Sequence, residues 1–429
     1  MCPRRRTVLK AGAGIAGIGL VGGYVQRRRL KRWDAIEAFR STTSQSIPSI
    51  DREWIVSDDH LRTAHARAVE QVDVALDTFD SDRFVDLRER LSTTYRPENV
   101  AALAADYHSI DQTRLELLAK YRFVRSSVVW ELARRGSSAY DESAYKRRRA
   151  QVTEILDTTT PQYRGDSLSE TILVVGKAEE LLNRAGAWSD GARQKEPGNG
   201  DPNLEDRWRD IENAYALAQD AREILSARSG PSRESVLHTT FERLAHRVVT
   251  VRETTADATE WDFSAFHEQM VFLDLVPSPD NNVHFRHSRP EEGLEDGLAV
   301  AIRESLFEIP RMIAAWSFAN IPHPQAWAEK DYEYGATGAQ IRAEKREAIS
   351  AVERVRKQYP VGNPLAARLC RYSLECLELA DEMLGDLATK PNRYDDREWV
   401  THRDEGVLFY RFGKLFAQAI PQTIAMISE

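Results

Sequence analysis

Glu234, His238, Glu242 and His246 recur at every fourth position. On a helix this spacing places nitrogen and oxygen ligands along one ridge, the arrangement from which metal sites in bundle cores are built. The apolar residues of the same stretch argue against that chemistry. Leu237, Phe241, Leu244 and Val248 fall within about 60° of arc at 100° per residue and define the buried stripe. His238 then lies about 90° from the centre of the stripe, and His246 lies on the opposite face. These residues therefore read as a solvent-facing ladder of i,i+4 pairs.

A second concentration lies in the polar run Pro277–Pro290, where His284-Phe285-Arg286-His287 follows Asp280, Asn281 and Asn282. Imidazoles beside carboxylate and amide groups suit a metal; together with Arg286 and Arg289 they suit an anionic ligand equally well. His267, beside Glu268, joins them only through tertiary folding. A polar surface loop explains the same residues and is the reading taken, with His267, His284 and His287 standing as the metal candidates. Cys370 and Cys376 are separated by about 600° of rotation and 9 Å of rise on a helix, so they face different ways. A bridge needs Cα atoms closer than about 7 Å, so both read as small buried residues. The chain shows no glycine-rich phosphate loop, no Gly-x-Ser-x-Gly elbow and no His-Glu-x-x-His. No catalytic residue and no cofactor is assigned.

The chemistry with the clearest address lies at the N-terminus. Arg5-Arg6-Thr7-Val8-Leu9-Lys10 is followed by AGAGIAGIGLVGGYVQ, an uncharged run rich in glycine and alanine. Arg5, Arg6, Leu9 and Lys10 resemble the twin-arginine translocation signal, with Arg4 where Ser or Thr is usual and Val8 where Phe is usual. The resemblance covers about the first 26 residues and implies export in partnership with the twin-arginine machinery. As a helix, Ala11–Gln26 is about 24 Å long, short of a hydrocarbon core of roughly 30 Å; starting at Val8, with Lys10 snorkelling, it just spans. Val21-Gly22-Gly23 is a poor cleavage site, so an uncleaved anchor is credible beside a cleaved signal. Basic residues flank the run on both sides, so charge leaves its orientation open. Two other readings stand beside export: an anchor holding the body on the cytoplasmic side as a membrane-surface organiser, and an ordinary glycine-rich tail.

Charge divides the chain the same way. Residues 1–33 hold nine basic residues and no acidic one; the whole chain carries −8, which leaves −17 on residues 34–429. An acidic body repels phosphates and excludes nucleic acid as a partner. Arginine far outnumbers lysine and aspartate is abundant, a balance similar to that of haloarchaeal proteins, whose negative charge keeps them soluble in brine.

The elements that must position these residues are nearly all helical. Residues 34–56, with Ser41–Ser46 and Pro48, read as a connector. Ser57-Asp58-Asp59 supplies a cap for a helix running to about Phe79. Further helices are read from Asp80 to before Pro97, from Pro97 to Arg135 (one long helix or two nearly collinear ones, with Gly136 past the end), and over Asp141–Thr158 and Asp166–Arg184. The run 187–203 has the composition of a linker between domains or, equally, of a long loop between neighbouring helices of one bundle. Beyond it come Leu204–Arg228, Ser232–Ala258, Phe263–Leu275, Gly293–Asn320 (kinked or broken near Pro310), Gly338–Gln358, Asn363–Leu387 and Arg397–Ile427. The last, apolar from Val407 onward but carrying Arg411 and Lys414, reads as a docked core helix, with a membrane-surface helix as the alternative and a second span disfavoured.

The sequence thus predicts an all-α protein: an elongated multi-helix bundle or irregular helical array of about ten to twelve helices behind a signal or anchor at 1–33. Its organisation is read as a connector at 34–56, a helical domain at 57–186, a linker at 187–203 and a second helical domain at 204–429. The favoured function is an acidic binding or scaffolding module of the cell envelope. It is membrane-associated through residues 8–26 and the flanking basic clusters, lies outside the cytoplasm and engages an envelope protein partner. The alternative is an exported metal-binding protein or hydrolase-type enzyme with a site near His267, His284 and His287.

Overall fold

The computed structural model describes residues 36–45, 55–100, 102–103, 110–194, 203–257, 294–319, 337–359, 363–390, 393 and 396–427. Twelve helices and no named strand occur among these residues. They are α1 (36–43), α2 (Asp58–Thr78), α3 (Asp82–Thr93), α4 (Ile110–Arg134), α5 (Glu142–Thr158), α6 (Leu168–Gln194), α7 (Leu204–Ser226), α8 (Glu234–Asp257), α9 (Leu298–Ala319), α10 (Gly338–Gln358), α11 (Pro364–Thr389) and α12 (Asp396–Ala425). The all-α, multi-helix expectation holds.

Local chemistry sets many of the helix starts. Ser57 Oγ accepts from the His60 amide at 3.2 Å, and Asp58 and Asp59 in the first turn of α2 complement the helix dipole. Asp141 accepts from Ala144 N at 2.7 Å to open α5. Thr337 and Gln340 form a reciprocal capping box at α10. Asn363 accepts from Ala366 N at 3.0 Å, with Pro364 in the first turn of α11, where its missing N–H costs nothing.

The helices are joined by packing as well as by chain. α7 lies against α4, α5 and α6; α2 packs on α4 and carries α3. α12 packs against α9, α10 and α11, and α9 also meets α6 and α8. One apolar core consequently runs from Leu61 and Leu118 through Ile172 and Leu306 to Leu377 and Phe416. A smaller cluster collects around Trp208, with Val129, Tyr145, Val152, Ala192 and Ile211. Each fully buried large side chain here stabilises by roughly 1.5–3 kcal/mol, so helix–helix packing outweighs intrinsic propensity.

Two differences from the sequence reading have physical causes. Residues 36–43, expected within a connector, form α1, with Ile36, Ala38, Phe39 and Thr42 buried. Its serine and threonine hydroxyls bond back to backbone carbonyls: Ser41 and Thr42 to Ala38 O, Thr43 to Phe39 O. Residues 187–194, expected as linker, continue α6, and Ala192 is fully buried beside Trp208. The helices on either side of that stretch, α6 and α7, pack closely together. Of the kink or break expected at Pro310, the break does not occur: α9 is one helix across it. The C-terminal reading holds: Phe409, Tyr410, Phe412, Phe416 and Ile420 of α12 are all buried in the core. Among the described residues no helix is long and apolar enough to cross a membrane.

Candidate functional site

The metal candidates His267, His284 and His287 lie outside the described residues, as do Arg5, Arg6, Leu9 and Lys10. Glu234, His238, Glu242 and His246 are all exposed, while Leu237, Phe241, Leu244 and Val248 are buried, as the stripe geometry requires. Among the described residues no group of three or more His, Cys, Asp or Glu side chains is placed to hold a metal. Cys370 and Cys376 are buried and unbridged. Burial pushes the Cys370 thiol up to about 12 and the Cys376 thiol well above its ordinary value, which leaves both without thiolate character at neutral pH.

Instead, the structure gathers ionisable groups into largely buried interhelical clusters. The first centres on Lys345, which is 0 % exposed. On α10 it shares a face with Ile341, Ala348 and Val352, so helical geometry carries its ammonium inside. There Nζ donates to both Asp381 oxygens, at 2.8 and 2.7 Å, and to the Thr42 carbonyl at 2.7 Å. The Tyr410 hydroxyl donates to Asp381 as well. The three protons of the ammonium are thus matched to three acceptors. Burial pulls the Lys345 pKa down, against the pull of Asp381, and pushes the Asp381 carboxyl up, against Lys345 and Tyr410. A depressed lysine is the raw material of nucleophilic and base catalysis. Here the lack of access and the full set of partners direct it to holding α1, α10, α11 and α12 together.

The second set lines α7. His60 Nε2 lies 3.0 Å from Asp220, which also accepts from Arg122 Nη1 at 2.7 Å. Burial raises the Asp220 carboxyl, but the His60 hydrogen bond and Arg122 outweigh it and leave the group below its usual range. Two turns earlier Glu212, about 1 % exposed, accepts from Arg125 Nη2 at 2.6 Å and Nε at 3.0 Å, while Arg148 Nε sits 3.3 Å from its other oxygen. Arg125 also donates to Gln219 at 3.2 Å, and Arg148 lies over the Tyr215 ring at 4.0 Å. This is a polar seam joining α2, α4, α5 and α7.

A third buried carboxylate, Glu179 of α6, caps the N-terminus of α9. It accepts from Val300 N at 2.8 Å and from Tyr163 Oη at 2.7 Å. Burial nonetheless raises its pKa. Gly297 makes this possible: it stands at φ 125°, and a Cβ there would meet the Glu179 carboxylate at 2.4–2.8 Å.

An open cavity of about 310 Å³ lies where the end of α5 meets the end of α7. Thr158, Thr159, Thr160 and Gln162 line it with Arg222 and Arg228, so its walls offer hydroxyl, amide and guanidinium donors. That chemistry accepts an anion, although Arg228 Nη1 is already engaged by Glu170 at 2.6 Å.

Sequence reading missed the Lys345 cluster, although its signal is visible: a lysine at the centre of an apolar helical stripe needs a buried counter-charge. The α7 seam offers no such signal, because its partners come from α2, α4 and α5. Comparison of the chain with protein-family models, curated proteins and solved structures finds no match in any of the three.

Proposed function

We propose that the protein is a helical binding or scaffolding module of the cell envelope, carried to and held at the membrane by its N-terminal segment. The observation that carries this reading is the order of residues at the N-terminus. A basic head ending in Arg5-Arg6-Thr7-Val8-Leu9-Lys10 precedes the uncharged run Ala11–Gln26, and a second basic cluster, Arg27–Arg32, follows it. The run is weakly hydrophobic, which suits a receptor-read export address with the twin-arginine machinery as partner. The body carries the opposite charge, and among the described residues Lys345, Asp220 and Glu212 are engaged in interhelical pairs, an arrangement suited to shape and surface rather than turnover.

Fractionation tests the reading. The intact chain is expected in the membrane pellet or outside the cell, and a variant lacking residues 8–26 in the cytosol. A wild-type chain recovered from the cytosol would overturn it. The haloarchaeal-type composition adds a second readout: the melting temperature is expected to rise with KCl concentration as screening relieves the repulsion within the −17 body. A flat or falling salt profile contradicts that assignment.

A further inference from the structure

We infer that α1 is a built-in dock that seats the membrane tether on one end of the body, so that the body is held by non-covalent contacts and not only by the chain. The inference rests on the tether reading for its membrane part and on geometry for the rest. α1 is gripped at several independent points. Phe39 is 0 % exposed, and Ile36, Ala38 and Thr42 are buried with it. Ala38 seats directly on Gly338, the first residue of α10: a Cβ at Gly338 would lie 2.2 Å from the Ala38 Cβ, so the seat exists only because position 338 has no side chain.

The polar contacts reinforce this at both helix ends. Lys345 Nζ donates to the Thr42 carbonyl, in the last turn of α1, where a cation meets the negative end of the helix dipole. In return Arg40 Nη2 donates to the Ala388 carbonyl at 3.3 Å, in the last turn of α11. Each helix therefore satisfies a terminal carbonyl with a cation from another element, which a passing connector does not do.

The dock also fixes geometry. Residues 27–35 between the apolar run and α1 reach at most about 32 Å when fully extended. The dock on Gly338 and Ala388 is therefore held within that distance of the bilayer.

The test uses the full chain with a site-specific protease sequence inserted between Ser46 and Ile47. Membranes carrying the protein are cut to completion and sedimented. The dock predicts that the severed body stays in the pellet, and that it moves to the supernatant in Phe39→Asp and in Gly338→Ala, which adds only a methyl against Ala38. Circular dichroism checks that both variants keep their helices, and the milder Gly338→Ala decides if Phe39→Asp unfolds. Release of the wild-type body on cutting overturns the dock, as does equal retention in both variants. If the uncut chain is not membrane-bound, the tether reading fails separately. The dock is then read by size exclusion after cutting: co-elution of the N-terminal piece with the body supports it, and separate elution overturns it.

Discussion

The α4–α7 seam and the α11–α12 seam bury side chains of opposite chemistry. Between α4 and α7 two buried ion pairs cross the interior, Arg122 with Asp220 and Arg125 with Glu212. Between α11 and α12 the packing is largely aromatic: Tyr372 lies 4.6 Å from Phe416 and 6.5 Å from Phe412, and Phe307 of α9 stacks edge-on against Tyr372 at 4.6 Å, with the Tyr410–Asp381 and Ser373–Gly413 hydrogen bonds as polar exceptions. Burying rings stabilises without a desolvation cost to recover. Burying ion pairs recovers little net energy but penalises every misalignment, because a slipped register strands a charge. The aromatic seam therefore supplies stability and the ionic seam supplies register.

The largest expected effect is on the aromatic side. Phe416→Ala is expected to cost about 3–5 kcal/mol in urea denaturation, the usual range for a fully buried Phe. A loss below about 1 kcal/mol would show that the ring cluster collapses around the gap and carries less than argued.

Next comes Glu212→Ala, which strands Arg125 inside the seam and is expected to cost about 3 kcal/mol. The sharper experiment adds Arg125→Met with Glu212→Leu. Recovery of most of that loss in the double variant supports the register role. A double variant as weak as the single one would mean that the pair itself stabilises.

Acid separates the two regions by sign. Asp220 sits below its ordinary range, as described, and Glu131 is brought down to about 2 by the Arg134 hydrogen bond, with burial opposing and Arg135 assisting. Glu142 is likewise lowered, chiefly by Arg207. Such groups add stability above the unfolded carboxylate range near ~4, and that stability is lost as the pH falls through their folded values. Asp381 and Glu375 run the other way: burial raises both, against Lys345 for the first and Arg368 and Arg371 for the second. Their folded forms take up protons more readily, so their contribution is present at low pH and fades as the pH rises through the folded values. Glu344 is the exception on this side: burial raises it, but Lys414 and Arg411 outweigh that and leave it lowered. Amide exchange, corrected for intrinsic rate, is expected to show α4 and α7 losing protection before α11 as pH falls toward about 3. Loss in the reverse order would break the comparison.

The smallest effect is predicted at the exposed ladder. His238→Ala with His246→Ala is expected to shift stability by less than about 0.5 kcal/mol, in the range of ordinary surface substitutions. A stoichiometric metal lost in that variant would contradict the reading of the ladder.

What the sequence disclosed depended on the range of the determining interaction. Ser57, Asp141 and Asn363 announce helix starts because a cap is settled within three residues. The burial of Leu237, Phe241, Leu244 and Val248 follows from periodicity alone. α1 was hidden because its order comes from Lys345, Gly338 and Ala388, some 300 residues away in sequence. Its serines and threonines look like linker until their hydroxyls are seen bonding to the preceding turn. α6 hid its last turns behind Gly186 and Gly191, whose cost is met by packing around Ala185 and Ala192. The buried sites were half legible: Lys345 stands out on an apolar stripe, but nothing local names Asp381 or Tyr410 as its partners.

Export by the N-terminal segment stands as a proposal. Protease accessibility in intact cells, comparing wild type with Arg5→Lys/Arg6→Lys, tests it most directly. The account predicts a wild-type body that is digested from outside and a double variant that is protected. A body protected in both would contradict export and leave Arg5 and Arg6 as lipid contacts of an anchor facing the cytoplasm.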